Sequence, residues 1–467
     1  MSKHISRRNF LRTSSCAAIG TTTLFSTLTN LKFMNAASIA NSSTILGGDY
    51  KALVCILLAG GNDSHNMLIP REQNEYQHYA TSRSQVAIPR DSILSLNGSN
   101  YGLHPAMTAA QQLYNNNELS FISNIGTLIG PTDKPSALNE ENLPVGLFSH
   151  SDQRQQWQTS VPHDRSSVGW GGRIADMMND LNDNPNISMN VSLSGTNIFQ
   201  TGQSTIEYSI DRNQGSTGIL GYDASNTFLS LRNQALDNIV DAHYDDLFKK
   251  TYIDVIKNSR DASLIVSEAL AEAPFVDDLF VSDTNLSDSL RMISRMIASR
   301  DRLGARRQIF FVNVGGWDNH DDLLSQHTLL LDELSEGLSE FNAALKRVGA
   351  HDCVTTFTSS DFGRTLTYNG EGTDHAWGGN VMVMGGPVKG GNIYGDYPLL
   401  ELAGEFELSN NPMYSNGIMI PTTSVDEYFA ELALWFGVAP SELSTIFPNI
   451  GNFYNTSGGA MPIGFIG

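Results

Sequence analysis

The residues of this chain best suited to chemistry are four aspartates, Asp63, Asp318, Asp361 and Asp374, and two histidines, His320 and His375. Three of the acids stand just past an apolar run. Leu53 to Leu58 leads into Gly60-Gly61-Asn62-Asp63, Ile309 to Val314 into Gly315-Gly316-Trp317-Asp318-Asn319-His320, and Val354 to Ser360 into Asp361-Phe362-Gly363-Arg364. Two carboxylates about 4 Å apart repel by about 4 kcal/mol at an effective dielectric near 20. Four of them sharing a pocket therefore need spacing, a cation such as Arg364, or a divalent metal. Asp with His suits zinc or manganese, and carboxylate-rich sets lean toward manganese, magnesium or calcium. Arg364 can grip a substrate anion or pair with Asp361. A second group, Ser149-His150-Ser151-Asp152, precedes a helix-like Gln153 to Gln158. Ser149 and His150 are candidates for catalysis there, because a hydroxyl at a helix start meets its positive end. The plainer reading makes Ser149 or Ser151 an N-cap. Ser64 is the alternative nucleophile, with turn packing as its plainer role. His104-Pro105 reads as structural.

These residues can meet only if the elements before them lie side by side. The three runs are β-branched and aromatic, the composition of strands buried on both faces. In open α/β sheets functional side chains collect beyond the carboxyl ends of the strands. The expectation is an α/β fold: a parallel-rich central sheet between helices, formed as one domain over 41–467 with a strand and helix insertion over 188–307. Alternation from Ile187 to Ile210 predicts strands or a surface excursion. Helical periodicity appears around Phe228-Leu229-Leu231, Ala235 to Val240 and Leu264 to Leu270, and predicts helices over Leu286–Ser299 and Leu323–Val348. Ser424 caps a last helix, Asp426 to Phe436, and the tail after Pro448 reads as irregular.

The first 40 residues read as a targeting segment. Ser6-Arg7-Arg8-Asn9-Phe10-Leu11 is a twin-arginine pattern, followed by a weakly apolar run and small residues near Ala40. The export machinery that reads such signals is then a partner, and the mature protein is expected to be periplasmic or secreted. Cys16 lies before the apolar run, which argues against a lipid anchor. No stretch is apolar and long enough to be a permanent membrane span. The chain carries 29 Lys and Arg against 49 Asp and Glu, a net charge of −20. Losing Lys3, Arg7, Arg8, Arg12 and Lys32 makes it more acidic still. Such a surface excludes nucleic acid as a partner, since phosphate binding needs concentrated Lys and Arg. Cys55 and Cys353 read as free thiols in a chain large enough to need no staples.

Five motifs together resemble the bacterial domain-of-unknown-function family fifteen-oh-one. They are Leu58-Ala59-Gly60-Gly61-Asn62-Asp63-Ser64, Ser149-His150-Ser151-Asp152-Gln153, Gly315 to His320, Ser360 to Arg364, and Gly372-Thr373-Asp374-His375-Ala376-Trp377-Gly378-Gly379. The resemblance implies twin-arginine export and the fold of the alkaline phosphatase, sulfatase and phosphomutase superfamily, with a two-metal site at the strand ends. Carried over by residue, it implies Asp318, His320 and His375 on one metal, and Asp63 and Asp361 on another. Asp374 lies in the motif that supplies His375. Phe362 departs from the pattern, because it cannot ligate. No Cys-x-Pro/Ala-x-Arg run exists, which argues against formylglycine sulfatase chemistry. The implied activity is metal-dependent hydrolysis of a phosphate or other ester, in a small molecule or surface polymer. The alternative is a non-catalytic binding or assembly protein on the same scaffold. A glycosidase fits less well, since no sugar-stacking aromatic platform is evident.

Overall fold

The computed structural model describes residues 50–216, 227–402 and 413–467. The targeting segment and Cys16 lie outside the described residues. The main sheet takes strands from both ends of the chain: β1 (Lys51–Leu58), β2 (Leu119–Gly126), β3 (Asn190–Ser192), β4 (Tyr208–Ser209), β5 (Arg307–Val314), β6 (Val354–Ser360), β7 (Gly379–Met384), β8 (Ile393–Tyr394) and β9 (Thr423–Ser424). Their order is β8-β2-β7-β6-β1-β5-β3-β4, with β9 also on β2. Only β7 runs against its neighbours, so the sheet is mixed but mostly parallel.

β1 sits at the centre because both of its faces are apolar. Ala52, Val54, Ile56 and Leu58 pack into one layer, and Leu53, Cys55 and Leu57 into the other. The first layer is built from α2 (Thr108–Asn115), α7 (Asn285–Ala298) and α8 (Leu323–Arg347), with the second half of α6 (Leu247–Ala271). The second takes α4 (Trp170–Met178), α9 (Val425–Phe436) and Trp157 of α3 (His150–Thr159). Of the remaining longer helices, α1 (Gln73–Arg83) leads away from β1 and α5 (Thr227–Val240) precedes α6. This is the sheet between helices expected from the apolar runs. At roughly 1.5–3 kcal/mol for each fully buried Leu, Ile or Val, β1 alone contributes heavily to the core. Cys55 and Cys353 are both free.

Most predicted elements lie within a residue or two of their observed bounds. Ser424 caps α9 through a capping box closed by Glu427. The alternating stretch after Ile187 supplies β3 and β4, which extend the main sheet in parallel.

Two features of the sheet create the site. Leu58 pairs with both Val314 and Ser360, so the carboxyl ends of β5, β1 and β6 are level. β7 enters in the opposite sense, with Val383 against Phe357 and Met384 against Thr356. Its first residue therefore lies at the carboxyl end of β6, and the loop before it, carrying Asp374 and His375, is delivered to the same edge.

Candidate metal centre

Backbone contact comes first. Gly60, in the turn out of β1, has φ +123°, and a Cβ there would lie 2.4 Å from the amide nitrogen of Asp318. Only glycine lets the two chains approach this closely. The Gly60 N–H donates to Asp361 Oδ2 at 3.2 Å, and the Trp317 N–H donates to the Ala59 carbonyl at 3.2 Å.

Arg364 ties these loops together. Its Nε donates to the Gly61 carbonyl and its Nη1 to that of Thr373, both at 3.0 Å. Its Nη2 reaches the carbonyls of Gly60 (2.5 Å) and Trp317 (3.2 Å) and forms an ion pair with Asp318 Oδ1. The side chain is 1% exposed. The ion pair is with Asp318, where the sequence suggested Asp361 as the partner. Every nitrogen of the guanidinium is committed to holding loops and Asp318 in place.

Three imidazoles then surround Asp318. His150 Nε2 is 3.3 Å from Asp318 Oδ2; His320 Nε2 and His375 Nε2 are 3.0 and 3.6 Å from Oδ1. Each ring has an acceptor behind it. His150 Nδ1 lies 2.9 Å from Asp361 Oδ2, and His375 Nδ1 lies 2.8 Å from the Phe148 carbonyl. His320 Nδ1 is 3.5 Å from Asp374 Oδ1. A carboxylate or carbonyl can only accept, so Nδ1 of His150 and of His375 carries a proton, and Nε2 is the ring atom turned to Asp318. A carboxylate or carbonyl behind an imidazole is the usual outer partner of a metal-bound histidine.

His150 sits at the first position of α3. The preceding Ser149 is the N-cap, its Oγ accepting from the Asp152 N–H at 3.4 Å and bonded to Ser151 Oγ at 3.0 Å. Phe362 fills the space beneath the rings, with its centroid 4.7 Å from that of His150 and 4.6 Å from that of His375. The residue that cannot ligate is therefore the apolar wall that fixes two imidazole planes.

The electrostatics favour this arrangement. Burial works against charge on Asp318, yet Arg364, His150 and His320 together hold its carboxyl below the ordinary value. Burial lowers His375 against the opposing pull of the Phe148 carbonyl, and the neighbouring His150, Arg364 and His320 add to the lowering. Burial raises the carboxyl of Asp361 against the opposing pull of His150 and the Gly60 N–H.

Ligand atoms of His150, Asp318 and His375 all lie within 4.8 Å of one another. His320 Nε2 joins them from the side, 2.9 Å from His375 Nε2. Two imidazole nitrogens this close repel unless a proton or a cation lies between them. His150 Nε2 is buried without a hydrogen-bond partner. Its 3.3 Å approach to Asp318 is an ion-pair distance lacking hydrogen-bond alignment. Donors around a tetrahedral zinc with bonds of 2.0–2.1 Å stand about 3.4 Å apart, and the contacts to Asp318 are of that order: 3.0 and 3.6 Å from His320 and His375 to Oδ1, and 3.3 Å from His150 to Oδ2.

The other predicted residues are placed differently. Asp63 is buried and paired with Arg83 of α1, outside the set around Asp318. Asp361 stands behind His150 and does not join the three-donor set. Asp374 accepts from Asn369 Nδ2 at 2.9 Å and backs His320. Ser64 Oγ accepts from the Asn380 N–H at 2.8 Å and is buried. His150, a catalytic candidate beside its hydroxyl neighbours in the sequence, stands in the group of three residues that could hold a metal ion. Arg83 and the Phe148 carbonyl were not anticipated, and only the three-dimensional partners of Asp63 and His375 disclose them.

A mostly parallel sheet between helices thus carries three histidines and an aspartate together at its strand ends. The chain belongs to the family described as "Protein of unknown function (DUF1501)", whose profile matches residues 50–442. No curated protein matches it. Among solved structures it is similar to the PsFucS1 sulfatase from Pseudoalteromonas sp. (10% identity, 88% of this chain and 72% of that one, TM-score 0.34). It is also similar to the phosphonate monoester hydrolase SpPMH from Silicibacter pomeroyi (10% identity, 83% and 73%, TM-score 0.31) and to Ps i-CgsB (11% identity, 86% and 76%, TM-score 0.32). Scores this low carry no argument about chemistry.

Proposed function

We propose that this protein is an exported metal-dependent hydrolase acting on phosphate or other ester bonds. The observation that carries the reading is the convergence of three backed imidazoles on one carboxylate. His150, Asp318 and His375 would hold the ion, with His320 completing the set. Three nitrogens and one oxygen favour zinc or manganese over magnesium or calcium. A divalent ion there would polarise an ester oxygen and lower the pKa of an attacking hydroxyl or water.

The chain's own residues prepare the site for that role. Asp361 and the Phe148 carbonyl fix the tautomers of His150 and His375. Arg364 holds Asp318 in place and keeps it ionised. Asp318 is 46% exposed, so the centre opens to solvent and to a substrate. Ser149 and Ser64 are engaged as a cap and an acceptor, which favours water over a side-chain hydroxyl as nucleophile. The twin-arginine pattern supports export, and no helix among the described residues is long and apolar enough to cross a membrane.

The test is metal analysis of protein purified without a metal-chelating tag, followed by a screen of phosphomonoesters, diesters, phosphonate esters and sulfate esters. Stoichiometric metal and a turnover lost in Asp318→Ala are expected. A non-catalytic scaffold is the second reading, favoured by the engagement of both candidate hydroxyls. It prevails if metal is sub-stoichiometric and Asp318→Ala leaves stability unchanged with and without chelator.

A further inference from the structure

The resemblance that implies a metal centre implies two ions, the second held by Asp63 and Asp361. The residues present do not fit that second ion. Asp63 is fully buried, and its Oδ2 is taken by Arg83 Nη2 in an ion pair with both partners shielded from solvent. Arg83 cannot swing away cheaply. Its Nε donates to Asn66 Oδ1 at 3.2 Å, and its Nη1 to the carbonyls of Thr365 (2.9 Å) and Leu366 (3.4 Å). Asp361 has committed its Oδ2 to His150 and Gly60, and its Oδ1 is buried without a protein partner. The residue after it is Phe362, which contributes a ring face and no donor. Asp63 Oδ1, Asp361 Oδ1 and both ring nitrogens of His65 are buried without protein partners, yet they form no metal-sized set of three donors among the described residues.

We infer that the protein binds one divalent ion per chain, at the His150, Asp318 and His375 centre, and that the guanidinium of Arg83 is the fixed internal cation that neutralises Asp63 in place of a second ion. A carboxylate this deep needs a positive partner. Supplying it from α1 makes that half of the site independent of metal, and a divalent ion at the same carboxylate would sit against a guanidinium that is held on all sides. The inference rests on the proposed metal centre and narrows it to a single ion.

The experiment is metal stoichiometry on the full mature chain, by elemental analysis after equilibration with zinc and, separately, manganese. One ion per chain is expected in the wild type, the same in Asp63→Asn, and at least tenfold weaker binding in His150→Ala. Two ions in the wild type, or a lower stoichiometry in Asp63→Asn, overturns the inference while leaving a metal centre standing. No ion at all overturns the metal-dependent reading itself. Where Asp63→Asn does not fold because Arg83 is left as an unpaired buried charge, Asp63→Asn combined with Arg83→Met removes both charges and is measured instead, with the same expectation.

Discussion

Asp361→Asn separates a residue that supports an ion from one that merely supports the fold. Asp361 is 1% exposed, and its Oδ2 lies 2.9 Å from Nδ1 of His150, the ring whose other nitrogen faces Asp318. Asparagine is nearly the same shape and can still accept from Nδ1 and from the Gly60 N–H, so the ring should stay in place. What is lost is the negative charge that makes the imidazole a better donor. Replacing the outer partner of a metal-bound histidine costs 10- to 100-fold in affinity, about 1.4–2.7 kcal/mol. That matches the roughly 1.5–3 kcal/mol of a charge-assisted hydrogen bond. We expect about 30-fold weaker metal binding in chelator competition. Burial raises this carboxyl above its ordinary value, so its charge is held at a cost in the metal-free protein. Urea unfolding without metal should therefore show stability equal to or above that of the wild type. Affinity falls while metal-free stability does not. Equal metal affinity in the two proteins, or a parallel drop in both quantities, would refute the reasoning.

Two further outcomes follow from the structure. Gly60→Ala places a methyl group 2.4 Å from the backbone of Asp318 at φ +123°, so overpacking and backbone strain together should cost roughly 3 kcal/mol in urea unfolding and weaken metal binding as Asp318 is displaced; wild-type behaviour would show that the two loops are not in contact. His65 and His104 are lowered to about 4, chiefly by burial, with Asp63 opposing the shift at both and Arg83 adding to it at His65. Their folded values lie below the unfolded value near 6.5, so the unfolded chain binds the extra protons. The stability they allow is full above pH 6.5 and is lost as pH falls toward 4, by about 2 kcal/mol each between pH 7 and pH 5. In chelator, His65→Phe should remove about half of that combined acid loss, and an unchanged pH slope would count against a neutral buried ring.

Much of the fold could be read from residue type, because a strand buried on both faces announces itself. Leu53 to Leu58, Ile309 to Val314 and Val354 to Ser360 are apolar or β-branched nearly throughout, and all three became central parallel strands. The site was harder to read. Having an acid after each strand does not say which acid turns inward to the shared point. That depends on register and on turn geometry, which the spacing of residues does not carry. Asp318 follows a loop pinned against Gly60 and is held at the rim by Arg364, so it became the hub. Asp63 follows two positive-φ glycines and a further residue, and there its side chain meets Arg83 of the next long helix.

The same reasoning applies to His150, which the sequence sets beside two serines. The contact that makes it a candidate donor comes from Asp361, 211 residues away, which supplies the acceptor behind the ring. A histidine's chemical role is set by what its second nitrogen touches, and that contact is tertiary. Phe362 makes the complementary point. Read beside a metal-binding pattern it is a missing ligand, but in place it packs at a tilt against His150 and His375 and confines their rings. The apolar wall beside Asp361 and the pairing of Asp63 with Arg83 point the same way, toward a site gathered around Asp318, with Asp361 and Asp374 behind its imidazoles.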